Sequence, residues 1–145
     1  MSTKIIILAE DDPKHRRMYT DYLSANGFNI MAAANGLEAL NLLHRVQPRM
    51  VLLDIIMPDL DGIETCRRAR AIIDYKTPIV FLSLLDDAEY VKDGLEAGGD
   101  DYILKTSSLE VLLERVSYWT GPLARSKSER RRNKALEEMR AAAEI

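Results

Sequence analysis

Polar groups that could act on a phosphoryl group follow four apolar segments of this 145-residue chain. Each group stands at the end of its segment or directly after it: Glu10, Asp11 and Asp12, then Asp54, then Ser83, then Lys105. Aspartate and lysine are seldom placed deeply unless they are paired. The pattern therefore indicates one polar site at the ends of several buried segments, although Asp12 is more typical of a helix cap.

The residue types favour a specific chemistry. Carboxylates that lie close together repel one another and attract a hard divalent cation, and Mg²⁺ prefers oxygen ligands from one or two carboxylates, water and phosphate. A carboxylate beside such an ion can act as a nucleophile toward phosphorus and form an acyl phosphate. An ammonium and a hydroxyl nearby would stabilise the phosphoryl oxygens. We therefore expect phosphoryl transfer to a carboxylate of this set.

Five short apolar segments alternate with helical patterns, which predicts how the site is positioned. The predicted strands are 4–9, 28–34, 50–54, 79–83 and 101–105. The predicted helices run from Pro13 to Asn26-Gly27, over 37–46, over 62–73, from Asp86 or Asp87 to Ala97, and onward from Ser107 or Ser108. Strands that are apolar throughout are typical of a parallel sheet covered on both faces. Right-handed crossovers then favour a doubly wound, flavodoxin-like sheet of order 2-1-3-4-5, whose sites form at the carboxyl ends of the strands.

Composition indicates an ordinary globular chain, with 47% hydrophobic and 30% charged residues. No apolar stretch approaches the roughly 20 residues needed to span a bilayer, and the apolar segment near the start is too short for a signal peptide. One cysteine, Cys66, excludes an internal disulfide and suits a reducing cytoplasm. We expect His15 and His44 on helix surfaces, without metal-ligand spacing between them.

The charge distribution divides the chain into two parts. Residues 1–120 carry a net charge of −6, whereas residues 121–145 carry +3. We expect a domain at 1–120 and a basic helical tail or linker at 121–145, where Ser126 and Glu129 fit a capping box. The tail could be a solvated helix face, a disordered segment, a helix leading to an output domain, a dimer arm or a weak contact for anionic surfaces. It lacks the aromatic interleaving expected of specific nucleic-acid binding.

Four segments together resemble the receiver domain of bacterial two-component response regulators, a CheY-like family. They are "ILAEDDP", "LLDIIMPDLDG", "PIVFLS" and "GGDDYILK", and they occur in the order and spacing of that family. The resemblance covers roughly residues 3–120. It implies a cytoplasmic switch that takes a phosphoryl group from a sensor histidine kinase or phosphotransfer protein. Its partner would be a downstream effector, a fused output domain or a second copy, and it would catalyse only its own phosphotransfer and dephosphorylation.

The resemblance also implies a metal set and a phosphoacceptor. Asp54 matches the phosphorylated aspartate. Mg²⁺ would be held by Asp11, by Asp54 and by the backbone carbonyl of Ile56, while Glu10 would contribute through water.

A second group of residues matches the phosphoryl contacts and the switch. Lys105 resembles the lysine that pairs with the phosphoryl group, and Ser83 resembles the switch hydroxyl. Tyr102 matches the switch aromatic, whose ring turns inward when the hydroxyl is drawn to the phosphate. The signal would pass to the face formed by the fourth helix, fifth strand and fifth helix.

Three residues depart from the family pattern. Thr106 replaces the proline that usually follows the lysine. Because a cis bond before a non-proline residue costs about 2.5–4 kcal/mol, a trans bond or a strained cis bond is expected. Leu84 is large where a small residue is common and would crowd Asp54. Ile56 is apolar where polar residues are frequent, which predicts altered dephosphorylation.

Three other functions compete with that of a phosphorylated receiver. A degenerate receiver could act as a phosphorylation-independent docking module. A phosphohydrolase with an aspartyl-phosphate intermediate usually needs an acid two residues after its nucleophile, and Ile56 occupies that position. A flavin or nucleotide protein needs a glycine-rich or hydroxyl-rich loop after the first strand, where this chain has the acidic "AEDDPKH".

Overall fold

The computed structural model describes residues 4–74, 76–84 and 88–122. The predicted caps Asp86 and Asp87 and the predicted tail helix lie outside these residues.

All five predicted strands form one parallel sheet. They are β1 (Ile5–Ala9), β2 (Asn29–Ala33), β3 (Met50–Asp54), β4 (Ile79–Ser83) and β5 (Asp101–Leu104). The strand order is β2-β1-β3-β4-β5, and every neighbouring pair is parallel. The predicted doubly wound sheet of order 2-1-3-4-5 is therefore confirmed.

Five helices connect and cover the strands: α1 (Pro13–Ala25), α2 (Gly36–Leu43), α3 (Gly62–Arg70), α4 (Ala88–Glu96) and α5 (Leu109–Trp119). Side chains cap four of their N-termini: Asp12, Asn35, Asp61 and Ser108. Each accepts hydrogen bonds from backbone N–H groups that have no partner within the helix. No helix within the described ranges is long and apolar enough to cross a membrane.

Two helices end earlier than the sequence pattern predicted. α3 stops at Arg70 rather than at residue 73, and a tightened turn follows, in which the Ala71 N–H donates to Arg68 and the Ile72 N–H donates to Ala69 at 2.9 Å, each three residues back. α2 stops at Leu43 rather than at residue 46 and closes with a similar tightened turn, in which Arg45 N–H donates to Leu42. The apolar residues beyond both ends follow helical spacing without continuing the helix.

The sheet separates two apolar cores. Successive strand residues point to opposite faces, so Ile7, Leu53 and Phe81 lie in one core while Leu8 and Leu52 lie in the other, all of them fully buried. This double coverage explains why the strands carry apolar residues at consecutive positions.

The strand register aligns the polar ends of the central strands. Ala9 pairs with Leu53, Asp54 with Leu82, and Ser83 with Leu104. Glu10, Asp54, Ser83 and Lys105 therefore emerge at the same edge of the sheet.

Candidate functional site

A buried ammonium joins two carboxylates at the carboxyl edge of the sheet. Lys105 Nζ lies 2.9 Å from Asp54 Oδ2 and 2.7 Å from Glu10 Oε2. The three side chains are 6%, 7% and 0% exposed, respectively. β5, β3 and β1 each deliver one of them, so the sheet itself fixes their spacing.

Burial changes the ionisation of the carboxylate at the centre of this site. Removal from water raises the pKa of Asp54 to about 6, and the neighbouring Glu10 carboxylate acts in the same direction. The hydrogen bond from Lys105 Nζ and a bond from the Ile56 N–H to Asp54 Oδ1, at 3.3 Å, oppose the rise. Asp54 is thus a carboxylate of unusually high basicity held in a fixed orientation.

Lys105 keeps its positive charge at this depth. Burial alone would lower the pKa of its ammonium, but the hydrogen bonds and charges of Glu10 and Asp54 outweigh that effect and raise the pKa. A permanent cation beside Asp54 is suited to contact an anionic group that arrives there.

The donor set fits a hard divalent cation. Ligand oxygens of Glu10, Asp11 and Asp54 all lie within 4.8 Å of one another. Asp11 is exposed, whereas the other two are buried, so the set faces solvent on one side. The single positive charge of Lys105 does not neutralise three carboxylates. All three donors are oxygens, the ligand type that Mg²⁺ prefers. The residues predicted for the metal therefore come together, with the Ile56 carbonyl following Asp54 by two residues.

The loop after β3 depends on a close backbone approach at Gly62. Its N–H donates to the Ile55 carbonyl at 2.7 Å. A Cβ at this position would lie 2.1 Å from the Asp54 carbonyl oxygen, which leaves no room for any other residue. Asp59 adopts a positive φ of 69° in the same loop. The glycine thus lets the loop fold back beside the phosphoacceptor candidate.

Ser83 is the last residue of β4, and Tyr102 lies on the neighbouring edge strand β5. Ser83 is buried and lines the same pocket as Asp54. Tyr102 packs its ring against the core that contains Phe81, its register partner. The Tyr102 hydroxyl is buried and has no hydrogen-bond partner among the described residues. The ring therefore lies inward, the orientation that the resemblance associates with the switched state.

Two apolar side chains flank the mouth of the pocket. The pocket encloses about 230 Å³, and Leu84 and Ile56 contribute to its lining. They are 63% and 57% exposed, respectively, so both project beside the opening rather than into the core. The bond between Lys105 and Thr106 is trans, because the described part of the chain contains no cis peptide bond. This confirms the trans alternative, and Lys105 still reaches Asp54.

Sequence reasoning missed one residue of the pocket, His15. It was expected on a helix surface, and its side chain is 38% exposed, but its ring also lines the pocket and its Nδ1 atom is buried. His15 is the third residue of α1, and helical side chains lean toward the helix N-terminus. The position of His15 three residues after the helix cap Asp12 could have predicted that its ring lies near the end of β1. His44, in contrast, is exposed as expected.

Comparison with known proteins agrees with this geometry. The family model of the response regulator receiver domain matches residues 6–117. The response regulator MprA of Mycobacterium sp. (strain KMS) is 40% identical over 111 residues, which cover 77% of this chain and 48% of that protein. The chain thus spans about half the length of the curated relatives it matches.

Solved structures show the same fold. The BeF3-activated N-terminal receiver domain of Klebsiella pneumoniae RstA is 35% identical with a TM-score of 0.75, covering 80% of this chain and 97% of that domain. The receiver domain of sensor histidine kinase PA1611 from Pseudomonas aeruginosa, which has a magnesium ion coordinated in its active site cleft, is 26% identical with a TM-score of 0.76, covering 83% of this chain and 99% of that domain. This chain belongs to the receiver domain family of two-component response regulators.

Proposed function

We propose that this chain is a phosphorylation-controlled signalling switch in which Asp54 accepts a phosphoryl group and Mg²⁺ is the cofactor. The observation that carries the proposal is the position of Lys105 Nζ, 2.9 Å from Asp54 Oδ2 within a set of three carboxylates. Receiver domains in general serve two-component signalling, and the match to that family covers residues 6–117.

The chain's own residues would perform the transfer as follows. An Asp54 carboxylate oxygen attacks phosphorus, and the bond from phosphorus to the donor's histidine nitrogen breaks. The Ile56 N–H and Lys105 hold Asp54 in one orientation, which lowers the entropic cost of reaching the reactive geometry. Lys105 then pairs with a phosphoryl oxygen. Mg²⁺, held by Asp11, Asp54 and the Ile56 carbonyl with Glu10 acting through water, would supply further charge neutralisation.

The phosphorylated state would be transmitted through Ser83 and Tyr102. Ser83 would donate its hydroxyl to a phosphoryl oxygen, and Tyr102 would hold its inward position. Ser83 ends β4 and Tyr102 lies on β5, so both residues are next to or part of the surface formed by α4, β5 and α5. On that surface Asp101 accepts hydrogen bonds from Arg115 at 2.6 Å and from Trp119 at 2.8 Å. We assign the effector, fused output domain or second copy to this surface.

Several further aspects belong to the same proposal. The domain would occupy 1–120 and the basic tail or linker 121–145. The phosphoryl donor would be a sensor histidine kinase or a phosphotransfer protein in the cytoplasm. The chain would not turn over an external substrate as an enzyme, because Ile56 occupies the position where an aspartyl-phosphate hydrolase needs a second acid.

The test is the intact mass of the protein after incubation with acetyl phosphate and Mg²⁺. We expect one added phosphoryl group, which Asp54→Asn and chelation of the metal both abolish. Asp59→Asn is the matched control, because Asp59 is an exposed acid in the same loop and asparagine also tolerates its positive φ. An adduct that persists in Asp54→Asn would contradict the assignment. Absence of any adduct, with a histidine kinase tried as well, would favour the phosphorylation-independent docking module.

A further inference from the structure

Three consecutive acids, Glu10, Asp11 and Asp12, connect β1 to α1. The Glu10 N–H continues the sheet by donating to the Ala33 carbonyl at 3.0 Å, and the Asp12 side chain caps α1. Asp11 lies between these two held ends. Its carboxylate is exposed and has no hydrogen-bond or ion-pair partner among the described residues. The direction of that carboxylate is therefore set by the backbone that carries it.

The side chain of Arg16 reaches back from α1 to this backbone. Its Nη1 atom donates to the Glu10 carbonyl at 2.9 Å and to the Asp11 carbonyl at 3.4 Å. The first bond has ordinary length, whereas the second is long and therefore weaker. Arg16 is half-buried, and its own N–H donates to the Asp12 carbonyl at 2.9 Å within the helix. The first turn of α1 thus fixes where the guanidinium begins.

The two carbonyls that Arg16 contacts belong to the two peptide groups on either side of the Asp11 Cα atom. The peptide group before this atom carries the Glu10 carbonyl, and the peptide group after it carries the Asp11 carbonyl. Because each peptide group is planar, a residue has only two soft backbone dihedrals, and its two flanking peptide groups set both. One nitrogen that holds both groups therefore fixes the direction in which the Asp11 side chain leaves the chain.

We infer that Arg16 is a positioning residue for Mg²⁺, which aims the Asp11 carboxylate at the position it shares with Glu10 and Asp54. The inference rests on the proposed function, in which Mg²⁺ is the ion bound there. The charge of Arg16 alone would have the opposite effect, because a cation near the site repels Mg²⁺. The sign of the change in Mg²⁺ affinity therefore separates positioning from simple electrostatics.

Isothermal titration of the chain with Mg²⁺ tests this inference. We expect Arg16→Gln to weaken Mg²⁺ binding by roughly tenfold or more, the usual effect of losing a group that orients a metal ligand. Arg17→Gln is the matched control, because it removes the same charge from the next residue. The Arg17 side chain is 85% exposed, with Asp21 3.6 Å away, and we expect a change of less than about twofold. Unchanged or tighter binding in Arg16→Gln, or an equal loss in Arg17→Gln, would overturn the assignment.

Arg16→Lys is the conservative variant. Both contacts come from a single nitrogen of Arg16, and the lysine ammonium also offers one nitrogen with several donors. We therefore expect Arg16→Lys to bring the Mg²⁺ affinity back to within about threefold of the wild type. A loss as large as that of Arg16→Gln would refute the proposed role of the shared nitrogen.

The dependence of the acetyl phosphate labelling rate on Mg²⁺ concentration separates positioning from a loss of folded protein. In Arg16→Gln the half-saturating Mg²⁺ concentration should rise by the same factor as the dissociation constant, while the limiting rate at saturating Mg²⁺ stays close to that of the wild type. A lower limiting rate at an unchanged half-saturating concentration would reject positioning, because it reports fewer folded molecules.

The same samples keep the inference apart from the proposed function. Labelling of the wild type together with equal Mg²⁺ affinity in Arg16→Gln rejects the inference alone. Mg²⁺ binding that depends on Arg16, without labelling of the wild type, supports the inference and rejects the proposed function alone. A wild type that binds no Mg²⁺ rejects both.

Discussion

Lys105 Nζ lies 2.9 Å from Asp54 Oδ2, although the two residues are 51 positions apart in the chain. The contact exists because β3 and β5 flank β4 and end at the same edge of the sheet. Both groups are buried, so neither can exchange its partner for water without a free-energy cost. The pair is therefore a structural element of the metal-free protein as well as a part of the candidate site.

Replacing Lys105 with methionine should destabilise the metal-free protein at pH 8. The change keeps the length of the side chain but leaves Glu10 and Asp54 as buried carboxylates without a cation. Removal of one partner from a buried ion pair typically costs roughly 3–5 kcal/mol, and we expect a loss toward the lower end because Asp54 can take up a proton. Urea denaturation in the presence of a chelator measures the free energy of unfolding.

Lys92→Met is the control for this substitution. Lys92 lies 3.9 Å from Glu96, but both side chains are largely exposed, and exposed pairs contribute about 0–1 kcal/mol. Equal losses for the two lysine variants would mean that burial of the Lys105 pair contributes nothing.

Asp54→Asn should stabilise the metal-free protein, and the gain should depend on pH. Because burial raises the pKa of Asp54 to about 6 from its ordinary value of 3.8, the native state binds a proton more tightly than the unfolded state. The stability that Asp54 contributes is thus complete below about pH 4 and is lost as the pH rises through about 6. Two pKa units correspond to roughly 3 kcal/mol. Asparagine mimics the neutral form and should recover up to that amount above pH 7.

The measurement is the difference in unfolding free energy between wild type and Asp54→Asn, at several pH values from 4 to 8 with chelator. Taking the difference cancels the titration of all other groups that the two proteins share. A difference that stays constant with pH, or one that grows toward pH 4, would contradict the raised pKa.

The fold was predictable because each strand carries a continuous apolar segment. The five segments predicted the sheet, and the register then brought Glu10, Asp54 and Lys105 together, as their positions after strands implied. Helix ends were less predictable. The apolar residues Ile72 and Ile73 continue the helical spacing beyond Arg70, but the Ile72 N–H bonds to the Ala69 carbonyl only three residues back and so tightens the turn.

His15 shows what periodicity does not report. A polar residue in the first turn of a helix is predicted to lie on the surface. The prediction uses only the spacing of residues along α1 and takes no account of the end of β1 beside it. The nearness of its Nδ1 atom to Glu10 Oε1, at 3.8 Å, follows from how α1 begins directly after β1.

Mg²⁺ should stabilise the wild-type protein, and Asp11→Asn should remove most of that effect. A ligand that binds only the native state adds RT ln(1 + [L]/Kd) to the free energy of unfolding, about 2.7 kcal/mol at one hundred times Kd. Asp11 contributes a ligand oxygen to the acidic set, so its neutral amide should weaken binding. Thermal midpoints measured with and without excess Mg²⁺ provide the comparison.

Asp12→Asn is the matched control for the metal effect. Asp12 is the next acid in sequence, it caps α1 through Oδ1, and asparagine caps a helix about as well as aspartate. We expect its Mg²⁺ response to equal that of the wild type. A response lost equally in Asp11→Asn and Asp12→Asn would point to nonspecific screening of the acidic surface.

Leu84→Ala should speed both phosphorylation of Asp54 by acetyl phosphate and hydrolysis of the product. Leu84 is 63% exposed and lines the pocket that contains Asp54, so we expect its side chain to narrow the approach of a small donor or an attacking water. Truncation of an exposed side chain costs little stability, usually within about 0.5 kcal/mol. Leu95→Ala is the control, because Leu95 is an exposed leucine of α4 that is not among the residues lining this pocket. Intact mass followed over time gives both rates, and unchanged rates in Leu84→Ala would show that the side chain does not limit access to Asp54.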